Sequence, residues 1–246
     1  MTESEKLIRH DLAACYRLVA LMGWDDLIFT HISARLPDEP GHFLINPYGM
    51  LFEEITASSL VKIDLQGQVV GSSRFPVNPA GFTIHSAVHE VRHDAACVMH
   101  LHTLDGTAVS SHPQGLLPLN QTAQLVCAGL AYHDYEGVAL DHAERPRLQH
   151  DLGQNDMMLL RNHGTLTLGR TCAEAFTKMY FLERACAMQV RTQAILGGLA
   201  PYPTAPDVIA KNAALMQGPG TAELAQKLIW PALMRKLQRL CPDYAD

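Results

Sequence analysis

Apolar residues recur at Ile8, Leu12, Cys15, Val19 and Met22, at alternating spacings of four and three. That period builds one stripe on a helix, and Gly23 is the expected stop. Short apolar runs then predict strands over 27–33, 42–45 and 60–65, with turns at Asn46-Pro47-Tyr48-Gly49 and Gln66-Gly67. Asn78-Pro79 opens a predicted helix over about 80–92, because proline suits a first turn whose N–H has no intrahelical partner. Asp94-Ala95 reads as a turn, 96–103 as a strand and 104–111 as a short helix. Segments 119–130 and 157–160 bracket a mixed region. Thr171-Cys172-Ala173-Glu174 is a capping box at the head of a long helix running to Ile195, with Gly197-Gly198 as its end. Pro201, Pro203 and Pro206 break the chain before two further helices, about 207–216 and 221–239. Strands alternating with helices predict an α/β fold: a single three-layer α/β/α domain over 1–200, with 201–246 as a helical extension of it.

Composition narrows the class without changing that picture. The chain has 246 residues, 48% hydrophobic and 18% charged, which excludes a disordered polyampholyte and supplies a sizeable core. Its net charge of -6, with 19 Lys+Arg and no basic run, predicts no nucleic-acid or anionic-membrane partner. Cysteines at 15, 97, 127, 172, 186 and 241 show no C-x-x-C spacing and read as free thiols of a reducing, cytoplasmic compartment. The polar start Thr2-Glu3-Ser4-Glu5-Lys6 is no secretory leader, and no apolar run reaches membrane-span length.

Chemistry concentrates in Val98-Met99-His100-Leu101-His102. Alternate residues of a strand share a face, so His100 and His102 can converge on one cation. His163, in Arg161-Asn162-His163-Gly164 at the end of an apolar strand, is the best candidate for a third ligand, the alternative being an ordinary loop histidine. His89-Glu90-Val91-Arg92-His93 also matches the zinc-peptidase pattern H-E-x-x-H. It falls at the end of a short helix against a turn, so these residues read as a solvated helix face, with a zinc peptidase as a remote alternative. There is no G-x-S-x-G elbow, Walker loop or dinucleotide-binding glycine turn.

Three stretches carry a family resemblance: the helix–strand unit over 82–103 with its His-x-His, Arg161-Asn162-His163-Gly164, and the helix over 171–184. Over about residues 5–200 the chain resembles the class II aldolase/adducin family. The resemblance implies a largely antiparallel central sheet and one divalent metal on His100, His102 and His163. Zinc is the first choice, with manganese, iron, cobalt or nickel compatible, and Glu53 or Glu54 could join the shell. It also implies a homo-oligomer, commonly a tetramer with active sites between subunits.

Departures from the family pattern shape the expected reaction. Where sugar-phosphate aldolases carry Ser-Ser-Glu, with the glutamate as acid/base, this chain has Pro79-Ala80-Gly81. The Gly-Asn-x-Ser motif reads Thr30-His31-Ile32-Ser33, and the Thr-Pro-Ser-Gly turn reads Asn46-Pro47-Tyr48-Gly49. A phosphate dianion needs several N–H and O–H donors, so a non-phosphorylated substrate is expected. Thr30, Ser33 and Gly49 are the expected substrate contacts. The expected activity is a metal-dependent carbon–carbon lyase on a small oxo- or hydroxy-acid, working through a metal-stabilised enolate. The missing glutamate tilts it towards decarboxylation rather than aldol cleavage. His31, with a near-neutral pKa, is the expected acid, with His85 and Tyr135 as further catalytic candidates. The alternative is a non-catalytic, adducin-like binding or scaffold protein.

Overall fold

The computed structural model describes residues 1–139 and 141–246, apart from the side chains of residues 80, 216, 217 and 219. Seven strands form one sheet: β1 (His31–Arg35), β2 (Phe43–Ile45), β3 (Val61–Ile63), β4 (Cys97–Leu101), β5 (Leu130–His133), β6 (Met157–Leu160) and β7 (Gly164–Gly169). Their order is β3-β2-β1-β4-β7-β6-β5, and every neighbouring pair is antiparallel except β5–β6.

Alternation along the strands fills two cores. Ile32 and Ala34 of β1 and Cys97, Met99 and Leu101 of β4 face helices α1 (Glu3–Leu21) and α6 (Cys172–Leu196). Val98, Met158, Leu160, Leu166 and Leu168 face the other way, onto Ile84, Ala87 and Val88 of α2 (Pro79–Val91) and Leu148 and Leu152 of α5 (Arg145–Leu152). Helices α3 (Leu104–Ser110) and α4 (Gln121–Cys127) pack beside α6. The expected α/β/α layering with a largely antiparallel sheet is the observed one. After α7 (Pro206–Gln217) and α8 (Pro219–Leu224), a π-helical turn leads into α9 (Trp230–Leu240), which lays Trp230 and Leu237 into the α1 core.

One element prediction needs correction, and one open segment resolves. The strand expected over 27–33 begins only at His31, because Leu27 adopts φ 49° and Phe29 N–H closes a turn onto Asp26 C=O at 2.9 Å. The segment 119–130 divides into α4 and the start of β5, since Asn120 caps a helix through its side chain. The capping residue of α6 is as expected, with Glu174 N–H donating to Thr171 Oγ1 at 3.1 Å. All six cysteines are free thiols, and no described helix is long and apolar enough to cross a membrane.

Candidate metal centre

The site is assembled where β4 ends against the turn between β6 and β7. That turn is tight: Leu160 pairs with Gly164, and Asn162 takes φ 56°, a left-handed conformation that asparagine tolerates better than most residues. A Cβ on Gly164 would stand 2.4 Å from the Leu101 carbonyl oxygen, so only glycine lets the two strands approach this closely. The result brings His163 over His102. Strand pairing sets His31 opposite His100, with their rings 5.0 Å apart.

The three predicted metal histidines come together. His100 Nε2 lies 2.9 Å from His102 Nε2, which lies 3.0 Å from His163 Nε2. Nitrogens bound at about 2.0–2.1 Å to one ion sit roughly this far apart. The outer nitrogens define the tautomers. His100 Nδ1 faces the Thr165 carbonyl oxygen at 3.0 Å, and His102 Nδ1 faces Asp26 Oδ2 at 3.0 Å. Both partners only accept, so each Nδ1 donates, and in the neutral ring that ligates metal each Nε2 is bare. Two lone pairs opposed at 2.9 Å repel unless a cation lies between them, so the donor set fits a divalent metal. Burial, reinforced by neighbouring imidazoles, holds His100 well below its ordinary pKa and His163 down to about 4. Both are therefore neutral, the form that ligates metal.

Behind the triad lies Glu183 on α6, buried. It accepts hydrogen bonds from the Thr103 hydroxyl and, at 2.9 Å, from the Thr165 hydroxyl, and burial pushes its carboxyl up to about 7. Glu53 and Glu54 do not join the cluster: both are exposed, and Glu54 accepts from Leu51 N–H at 2.7 Å.

A second group of histidines packs between β1 and α2. His31 Nδ1 is 2.8 Å from His85 Nε2, and His85 Nδ1 is 2.5 Å from Ser33 Oγ. Ser33 Oγ is 2.8 Å from His89 Nε2, and His89 Nδ1 is 3.2 Å from the Ala95 carbonyl oxygen. His89 is thus 2% exposed, not part of a solvated face, because its side of α2 meets β1. Helix α2 ends at Val91 and His93 is exposed beyond it, so the H-E-x-x-H residues form no metal group among the described residues. His31 also departs from expectation: burial, then the neighbouring His85, hold it well below a near-neutral pKa.

Of the other predicted contacts, Tyr135 stands half exposed with its ring 6.3 Å from that of His163. Thr30 is buried, its hydroxyl without a partner among the described residues. Ser33 is engaged by two imidazoles, and Gly49 is exposed in a turn at φ 119°. Sequence reasoning missed Asp26 and Glu183. The second left a signal: an acid at 183 on the apolar stripe of Phe176, Met179 and Cys186. Asp26 left none, since its meeting with His102 spans 76 residues.

Residues 10–190 match the family described as Class II Aldolase and Adducin N-terminal domain. A solved aldolase II superfamily protein from Pseudomonas syringae is 45% identical with a TM-score of 0.93, covering 100% of this chain and 98% of that one. Alpha-adducin of Mus musculus is 49% identical over 199 residues, or 80% of this chain but only 27% of the adducin. L-fuculose 1-phosphate aldolase from Glaciozyma antarctica is 26% identical with a TM-score of 0.84, covering 98% and 92% of the two chains.

Proposed function

This chain belongs to the class II aldolase and adducin N-terminal domain family, and from that premise we propose that it is a divalent-metal-dependent carbon–carbon lyase. Its substrate class is a small, non-phosphorylated oxo- or hydroxy-acid. The observation that carries the reading is the pair of bare, opposed Nε2 atoms on His100 and His102, with His163 completing the set. A divalent ion held there, zinc by first preference, supplies Lewis-acid stabilisation of negative charge developing on a substrate oxygen.

The chain's own residues handle the proton. His31 lies beside His100 and is neutral, so it suits taking a proton from a substrate hydroxyl at Nε2. Cleavage of the adjacent carbon–carbon bond then leaves a carbanion equivalent, and the same imidazole returns the proton to carbon. Decarboxylation needs only the return step, from a donor already protonated. A neutral His31 therefore favours aldol-type cleavage over the decarboxylation that the loss of glutamate at 81 suggested. The non-phosphorylated substrate is supported by the donors: of the serine and threonine hydroxyls in the three aldolase motifs Ser33 alone is retained, and it is tied to His85 and His89. Exposed Leu27, Leu104 and Tyr135 lie in the segments that carry Asp26, His102 and the approach to His163. Apolar groups so placed suit a neighbouring subunit closing over the site, as in a homotetramer.

The greater identity to alpha-adducin than to the fuculose 1-phosphate aldolase favours a second reading, a binding domain without catalysis. Elemental analysis of untagged protein separates the two. About one zinc, manganese, iron, cobalt or nickel per chain, lost in His100→Ala and His163→Ala, supports the lyase, and screening of hydroxy- and oxo-acids for carbonyl or carbon dioxide release follows. Protein that is metal-free and fails to bind added zinc or manganese removes it, and the adducin-like role then leads.

A further inference from the structure

Neither reading uses Ser33, His85 or His89, yet all three are buried. His31, Ser33 and Arg35 share one face of β1, and His85 and His89 share one face of α2 at a spacing of four residues. Strand and helix therefore meet through polar side chains at positions that apolar ones could fill. His89 is held at ring and backbone: its ring stacks on Phe43 at 4.3 Å, and Arg35 Nη2 donates to its backbone carbonyl oxygen at 2.6 Å.

The hydrogen bonds can run in one direction only. A carbonyl cannot donate, so the Ala95 oxygen requires a hydrogen on His89 Nδ1 and leaves His89 Nε2 bare. The Ser33 hydroxyl must then donate to His89 Nε2. Its oxygen is left to accept from His85 Nδ1–H, so His85 Nε2 is bare in turn. His31 Nδ1 must supply the last hydrogen, to His85 Nε2. Reversing any link would place two hydrogens, or two lone pairs, between the same two atoms. The free end of the chain is His31 Nε2, which has no hydrogen-bond partner among the described residues and lies 3.0 Å from where a Cβ on Gly81 would stand.

We infer that Ser33, His85 and His89 are positioning residues which, anchored on the Ala95 carbonyl, hold His31 in its Nδ1–H tautomer with a bare Nε2 beside Gly81. The importance of that tautomer rests on the proposed lyase role of His31, because only a bare Nε2 can take the substrate proton. The tautomer itself can be measured without any assay of activity.

The test is magic-angle-spinning NMR of the full chain, labelled with 15N-histidine and loaded with zinc, with signals assigned through His31→Gln and His85→Gln. The expected spectrum shows a protonated Nδ1 and a bare Nε2 on His31, and a 15N–15N coupling across the bond from His31 Nδ1 to His85 Nε2. Ser33→Ala should shift the His31 tautomer ratio towards Nε2–H by about tenfold, the usual order for losing one hydrogen bond, and Ser33→Thr should restore it. A wild-type His31 protonated at Nε2 overturns the inference, and so does a tautomer ratio unmoved in Ser33→Ala. If Ser33→Ala does not fold, the wild-type tautomer and coupling decide alone. Turnover separates this inference from the lyase reading. A fixed tautomer with full activity in His31→Gln upholds the chain and sinks the catalytic role. An unfixed tautomer with activity lost in His31→Gln does the reverse.

Discussion

The reciprocal packing of residues 31 and 81 gives a prediction whose sign distinguishes two outcomes. A Cβ on Gly81 would lie 2.6 Å from Cδ2 and 2.8 Å from Cγ of His31. The ring cannot swing aside, since it is 2% exposed and bonded to His85 at 2.8 Å. Gly81 lies in the first turn of α2 and is not among the residues with positive φ. On backbone grounds alone, Gly81→Ala would stabilise the helix by up to about 1 kcal/mol. Overpacking a filled core costs about 1–3 kcal/mol. The net expectation is a loss of about 1–2 kcal/mol, which for a chain of this size lowers Tm by roughly 2–8 °C. Removing the ring should cancel the clash, so His31→Ala and Gly81→Ala should couple favourably by about 1–3 kcal/mol in the double variant. The assay is thermal and urea denaturation of all four proteins at matched protein and zinc concentrations, because bound metal and assembly both shift apparent stability. A Gly81→Ala protein as stable as wild type, or simple additivity in the double variant, would refute the reasoning.

Three further outcomes are expected. Asp26→Asn should weaken zinc binding by about 10–100-fold in a chelator competition, because Asp26 orients the His102 ring; affinity within twofold of wild type would deny it that part. Burial, then the charge of Arg35, hold His89 down to about 3 against an ordinary 6.5, so the unfolded chain binds more protons between those values. Stability present above pH 6.5 should therefore fall as the pH drops towards 3, and His89→Gln should flatten the slope of urea midpoint against pH. Glu183 has the opposite sign: its carboxyl is pushed up to about 7 from 4.5, so the folded state binds more protons in that window and stability falls as pH rises through it. Glu183→Gln, which keeps hydrogen-bonding atoms for Thr103 and Thr165, should gain over wild type at pH 8 and show no gain at pH 5; equal gains at both would contradict the assignment.

Much of the architecture could be read from local pattern. The stripe from Ile8 to Met22 became α1, and the Thr171 cap opened α6 where its hydroxyl allowed. The sites of failure have local causes too. At 27–33 the apolar run predicts a strand, but a turn forms there and leaves Leu27 and Phe29 exposed. His89 and His93 matched a motif by spacing alone, but α2 stops at Val91, between them.

The sequence by itself determined most of the segments that become helix or strand, the turn before His31 excepted, because period and capping act within a few residues. It also determined that His100 and His102 lie side by side, since two residues of one strand share a face. Tertiary structure alone decided the rest. Strand pairing set His31 against His100, the turn at Asn162 brought His163 over His102, and Asp26 reached across 76 residues to orient that ring. It also showed that the glycine at 81 leaves room for the ring of His31, a relation between a strand and a helix that no local period encodes. Such contacts depend on register and approach between distant segments, and these are set by how the layers pack.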